Sequence, residues 1–365
     1  FHIEIYLFED PVSQIKKSAA ANPLSQLSKV NRFLPLWILA SMVAGLLLGK
    51  ALPGINKVLT AIQIQKTSLP IALGLFIMMY PVLANVRYEE MGHLRSDKKL
   101  LVSSLILNWL VGPALMFSLA WIFLGDKPEY RTGLIVIGLA RCIAMVLIWN
   151  DLACGSREAA ALLVAINSIF QIVAYALLGT FYLKVLPTWM GLDSFSVSFS
   201  TWDITKAVLI FLGVPLIAGY FSRRVGVRNK GIHWYEEKFI PRVAPFALYG
   251  LLFTIVLMFA LQGRAIIDSP GVVIQVAIPL LIYFLIMWGV SYIFGKALSL
   301  PYEKATTLAF TAAGNNFELA IAVSIGVWGI TSGQAMVGVI GPLIEVPALV
   351  ALVYISLWLR KRYSR

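Results

Sequence analysis

Two short stretches place reactive or titratable residues inside otherwise apolar sequence. In the first, Arg141 directly precedes Cys142; in the second, Thr311-Ala312-Ala313-Gly314-Asn315-Asn316-Phe317-Glu318 packs a glycine, two amides and a carboxyl together. Asn167 and Glu345 stand in apolar runs of their own. A thiol offers a soft ligand, a carboxyl a proton site or a hard ligand, and amides hydrogen bonds to either. Facing hydrocarbon, such groups are expensive, ~2.5–3.5 kcal/mol or more for a charge. They must therefore line a polar cavity or satisfy an unwound stretch of backbone.

Hydrocarbon is the relevant solvent. Of the 365 residues, 59% are hydrophobic and only 13% charged, and the mean hydropathy is +0.82. Soluble domains are about half apolar and about a quarter charged, so a soluble chain would have no surface on which to place this sequence. The net charge of +12 does not mark a nucleic-acid binder, because the basic residues sit in short clusters between apolar runs, the pattern of membrane topology. Two cysteines, Cys142 and Cys154, make neither a disulfide framework nor a four-ligand zinc site. No phosphate loop, zinc-type histidine pair or catalytic triad spacing is present, and His2, His93 and His233 fall in tail or loop segments. The energy for any transport then comes from an ion gradient or another subunit.

A spanning helix needs about 20 mostly apolar residues. That ruler predicts ten, at 34–52, 67–85, 100–124, 132–151, 158–183, 205–222, 243–262, 270–295, 305–329 and 333–359. With a cytosolic N-terminus, 21 of the 30 Lys and Arg fall on the cytosolic side and eight on the other, leaving Arg141 inside a span. This bias predicts a multi-pass protein of the plasma (inner) membrane with both termini cytosolic. Residues 1–29, with no leader pattern, read as a cytosolic tail.

Ten spans divide into five plus five, and an odd number per half forces the halves to insert upside down. The expected architecture is an all-α membrane protein of two inverted five-helix repeats, 30–185 and 200–360, with spans 4 and 9 broken and crossing. Aligning Gly155 with Gly333 sets Asn167 opposite Glu345 and brings the polar residues of spans 4 and 9 near one another. Cys142 lies 11 residues after Arg131, roughly 16 Å along a helix, near the middle of a core about 30 Å thick. Glu318 lies 14 residues after Lys304, roughly 21 Å along.

At that depth Glu318 reads as a carboxyl that binds and releases a proton, or as one permanently paired with Arg141. Arg141 has three candidate jobs: activating the Cys142 thiol if the helix is unwound, countering Glu318, or binding free carbonyls. Cys154, at a helix end beside Gly155, reads as a small buried hydrophobe. Asn167 and Glu345 read as second-tier cavity residues or structural hydrogen-bonding groups.

Several stretches resemble the ten-helix arsenical-resistance permeases, which share a superfamily with bile-acid sodium symporters. These are Gly138-Leu139-Ala140-Arg141-Cys142-Ile143-Ala144-Met145-Val146, Trp149-Asn150-Asp151-Leu152-Ala153-Cys154-Gly155, Gly314-Asn315-Asn316-Phe317-Glu318-Leu319-Ala320-Ile321-Ala322 and Gly341-Pro342-Leu343-Ile344-Glu345-Val346-Pro347. The likeness covers about residues 30–360. It implies export of arsenite, and in some members antimonite, in exchange for protons. It also implies a core of spans 3–5 and 8–10 moving against a panel of spans 1, 2, 6 and 7. The family's essential cysteine matches Cys142 and its essential glutamate Glu318, while Cys154 matches a position not needed for transport. Arg141, Asn315 and Asn316 join Cys142 as candidate substrate-binding residues. The resemblance calls for no cofactor and for no metal beyond the arsenic held at Cys142.

The chemistry is consistent with that implication. Trivalent arsenic is thiophilic, and a single thiolate gives a bond specific enough to select and weak enough to release. Arsenous acid is neutral at cellular pH, so the membrane potential alone cannot expel it, and a titratable Glu318 supplies the coupling. The rival reading is a sodium-coupled organic-anion symporter of the bile-acid type, with Asn315, Asn316, Glu318 and Glu345 as oxygen ligands; it gives Cys142 no job. An intramembrane enzyme would need a base beside Cys142, and no histidine lies at that depth.

Overall fold

The computed structural model describes residues 33–52, 54–55, 61–64, 67–86, 97–143, 145–192, 200–267 and 270–363. The expected tail at 1–29 lies outside the described residues. The described chain is helical apart from a short antiparallel ribbon, β1 (Gln63–Ile64) paired with β2 (Thr67–Ser68). Its helices are α1 (Leu34–Ala51), α2 (Leu69–Ala84), α3 (Lys98–Leu124), α4 (Pro128–Leu139), α5 (Met145–Leu152) and α6 (Arg157–Trp189). They continue as α7 (Thr201–Lys230), α8 (Ile240–Ile267, after a lead-in from Ile232), α9 (Pro270–Ala297), α10 (Tyr302–Ala313), α11 (Phe317–Trp328) and α12 (Gly333–Tyr363). Six of them, α3, α6, α7, α8, α9 and α12, are long and apolar enough to cross a membrane. The protein is thus an all-helical, multi-pass membrane protein.

Two predicted spans are each split in two. The segment 132–151 becomes α4 and α5, and 305–329 becomes α10 and α11. Ala140 and Gly314, at the ends of α4 and α10, are extended rather than helical. The two breaks correspond in position: Pro128 and Tyr302 open, and Leu139 and Ala313 close, helices of 12 residues. This pairs Leu139 with Ala313, whereas the glycine alignment pairs it with Phe317. The two glycine joints differ locally: Gly333 is the first residue of its helix, while Gly155 sits before Ser156, which caps α6.

Prolines shape four of the long helices. Widened π-helical turns at Leu107–Val111, Phe181–Val185, Leu209–Gly213 and Tyr235–Phe239 are each followed, two residues on, by Pro113, Pro187, Pro215 or Pro241. Proline lacks the N–H that would bond one turn back, and its ring presses on that carbonyl. A wide turn absorbs the misfit and lets the helix continue.

Packing forms two neighbourhoods joined by α7. α8 packs along α1 and α2; α7 lies beside α2 and, through its first half, against α6 and α11; α9 packs against α10, α12 and α3, and α12 against α4 and α11. In a bilayer lipid tails are as apolar as leucine, so helices associate through close van der Waals approach at small residues. Gly49 shows this: a Cβ there would lie 2.4 Å from the Ala260 carbonyl oxygen of α8. Because that neighbour is backbone, Gly49→Val should lower the yield of monodisperse protein in detergent severalfold, whereas Gly271→Ala, where a Cβ meets nothing within 4 Å, should not. Fluorescence-detected size exclusion measures both.

Candidate functional site

The site is built where the two breaks meet. Two backbone hydrogen bonds stitch them together, Cys142 N–H donating to the Gly314 carbonyl (3.3 Å) and Asn316 N–H to the Ala140 carbonyl (3.1 Å), and they make Arg141 and Asn315 an antiparallel bridge. Unwound backbone inside a membrane must find partners within the protein, and here each break supplies the other's. Glycine suits the close crossing, since a Cβ on Gly314 would lie 3.0 Å from the Cys142 Cβ, tighter than an ordinary contact.

Each break leads into a half-helix whose first turn faces the crossing. Backbone N–H groups of Met145 and Val146, opening α5, reach the Cys142 thiol. Asn316 caps α11, its Oδ1 accepting from Leu319 N–H at 2.8 Å, and Glu318 lies in that helix's first turn. Helix N-termini carry partial positive charge and favour anionic groups. The thiol and the carboxyl therefore each sit beside a helix N-terminus.

A cavity of about 480 Å³ connects these groups with one end of the helix bundle. Cys142, Asn316 and Glu318 line it at the crossing. Met78, Met79, Val164, Leu248 and Leu251 form apolar walls, and Asn85, Val86, Asp151, Arg157 and Glu158 line it where α2 ends and α5 meets α6. Cys142 is 5% exposed, so the thiol is reached only from within the cavity. At the α5–α6 joint Arg157 pairs with Asp151 at 2.9 Å.

The remaining sequence candidates do not line this cavity. Arg141, fully buried, turns to oxygens at the crossing: it donates to the Gly138 carbonyl, to the Ala312 carbonyl (3.3 Å) and to the Tyr283 hydroxyl (3.0 Å). Of its three candidate jobs, the free-carbonyl one matches its contacts. The ion pairs among the described residues are Asp151–Arg157, Arg223–Glu236, His233–Glu237 and Lys304–Asp97, so Glu318 has no static partner. Asn315 points its backbone N–H at Glu345 Oε1 (3.3 Å), and its side-chain oxygen accepts from Tyr283 (3.5 Å). Glu345 is 4% exposed and braces that break from α12. Asn167 accepts from Trp109 Nε1 at 3.1 Å, a tie between α6 and α3. Cys154 closes α5 with a left-handed φ of 57° and lies away from the cavity lining.

Two contributors escaped the sequence reading. Gln171 accepts from the Arg141 backbone N–H at 3.1 Å; its signal was its spacing of four from Asn167, which puts both on one helix face. Tyr283 left no signal, being one aromatic residue in a long apolar run.

Comparison with known proteins shows the family. The model of the family described as Sodium Bile acid symporter family matches residues 72–269. The chain is 57% identical over 335 residues to the arsenical-resistance protein Acr3 of Corynebacterium glutamicum, spanning 92% of this chain and 90% of that one. It is 30% identical over 335 residues to the Acr3 protein of Alkaliphilus metalliredigens, covering 89% and 91% of the two chains. An uncharacterized transporter of Synechocystis is 33% identical over 348 residues, covering 90% and 88%. Identity at this level over nine-tenths of both chains leaves one conclusion: this chain belongs to the Acr3 arsenical-resistance family, within the sodium bile acid symporter family.

Proposed function

We propose that this protein is a secondary transporter that exports arsenite from the cytosol in exchange for protons. The observation that carries the reading is the Cys142 thiol, at the crossing end of the cavity with Asn316 and Glu318, in a chain 57% identical to an arsenical-resistance protein. Arsenous acid enters the cavity and its As–OH is displaced by the thiol: an S–As bond forms, and the thiol proton leaves with the hydroxide as water. The remaining As–OH groups donate hydrogen bonds to Glu318 and to the Asn316 carbonyl oxygen. Arg141, Asn315 and Glu345 act by holding the crossing in shape, and Asn167 by tying α6 to α3.

The cavity reaches the helix ends that join the Lys- and Arg-rich segments, which the positive-inside bias assigns to the cytosol. We take this conformation as inward-facing, ready to load an exported solute. Ten crossings result when α4–α5 and α10–α11 each count as one broken span. The matching breaks support reading the chain as two inverted repeats, and the packing neighbourhoods support a panel of spans 1, 2, 6 and 7 beside a core of spans 3–5 and 8–10. Antimonite, with the same thiophilic chemistry, is an expected second substrate.

Transport into inverted membrane vesicles tests the reading. A proton gradient, acid inside, should drive arsenite accumulation, and a sodium gradient of the same size should not. Accumulation driven only by sodium, or uptake of an organic anion with none of arsenite, would instead support the bile-acid type of symport.

A further inference from the structure

The guanidinium of Arg141 occupies an unusual place for a buried cation, because none of its hydrogen-bond partners is a carboxylate. Two are carbonyls left over by the broken helices. In a continuous helix Gly138 O would accept from Cys142 N–H and Ala312 O from Asn316 N–H. Those donors have exchanged partners across the crossing, to Gly314 O and Ala140 O. Both orphaned carbonyls therefore point at Arg141, each from the C-terminal, partly negative end of a half-helix. The Tyr283 hydroxyl is the third oxygen on the two terminal nitrogens, while the buried Nε has no hydrogen-bond partner among the described residues. The space is made to measure at Gly112, where a Cβ would lie 3.0 Å from Arg141 Nη1 and 3.1 Å from the Tyr283 oxygen.

Neutral oxygens converging from unwound backbone and half-helix C-termini are the donor set with which membrane transporters hold small cations such as sodium. We propose that Arg141 is a tethered cation filling a sodium-type oxygen site, so that the crossing is held by a fixed charge and needs no bound ion. Removal of the guanidinium should then open the site to sodium. This goes beyond the export reading and does not depend on arsenite as the substrate, because its readout is heat stability.

The test compares the full chain with Arg141→Ala, Arg141→Ser and Arg141→Lys, purified in detergent and melted in choline, potassium or sodium chloride at constant ionic strength. The parent and Arg141→Lys, which keep a tethered charge, should melt at one temperature in all three salts. Arg141→Ala and Arg141→Ser should melt lower in choline and recover saturably with sodium by about 3 °C or more, as binding to the folded state alone requires. Serine, with its extra oxygen, should recover at lower sodium than alanine. A sodium-specific gain in the parent equal to that of the variants would overturn the proposal. So would the absence of a sodium-specific gain in both the alanine and serine variants, including failure of both to fold when extracted in sodium.

Discussion

Arsenite accumulation in inverted vesicles should fall to the background of empty membranes in Cys142→Ser, with the variant inserted at the parent level. Serine preserves size and can hydrogen-bond, but it replaces a soft ligand with a hard one, and trivalent arsenic selects for softness. No second thiol is in position to compensate: Cys142 is the cysteine lining the cavity, and Cys154 lies outside it. The contact of Cys142 with the N-terminus of α5 is one that a serine hydroxyl can also make, so the fold should survive. Cys154→Ala should transport close to the parent rate and serves as the control for thiol loss in general. Arsenite export by Cys142→Ser at the parent rate would end the proposed coordination, even if the protein remained an arsenite transporter by another route.

Glu318→Gln should abolish accumulation against a gradient and bind arsenite as weakly as the parent does at low pH. Exchange requires that proton and substrate not ride the same way. An empty site carrying a bare carboxylate is costly to move through a low-dielectric interior, because an unpaired buried charge has lost its hydration. Among the described residues Glu318 has no salt-bridge partner to relieve that cost. A proton relieves it on the return journey, and the As–OH donors of bound substrate relieve it on the outward one. The sign follows: lowering pH protonates Glu318 and should weaken arsenite binding to the parent, whereas the Gln variant, a fixed mimic of the protonated form, should bind with a flat pH profile. Glu318→Asp keeps the titrating group on a shorter arm and should retain part of the activity. Full proton-driven accumulation by Glu318→Gln would pass the role to Glu345, which sits behind the same break.

Much of this architecture is legible in the residues one at a time. The membrane class, the apolar spans and the identity of the costly polar residues follow from transfer free energy, which each side chain carries wherever it lies in the chain. Cys142, Asn316 and Glu318 were picked out on that ground, and they line the cavity. Breaks in spans 4 and 9 were also readable, since Gly314 with two asparagines makes poor helix at any depth. The resemblance to arsenical permeases added the substrate, which no single residue names.

Tertiary structure decided the division of labour among those polar residues. Arg141 could not be assigned from sequence because its partners, the Ala312 carbonyl and the Tyr283 hydroxyl, lie more than 140 positions away. Those carbonyls are free only because the two breaks exchange backbone bonds. Asn167 and Glu345 read equally as cavity residues or as structural hydrogen-bonding groups, since polarity inside a span says that a partner must exist but not which one; Trp109 and the Asn315 backbone are those partners. Burial cost is local and additive along a chain, so sequence determined which residues need partners. Hydrogen bonding is directional and joins distant segments, so only the crossing of the helices decided which partner each one met.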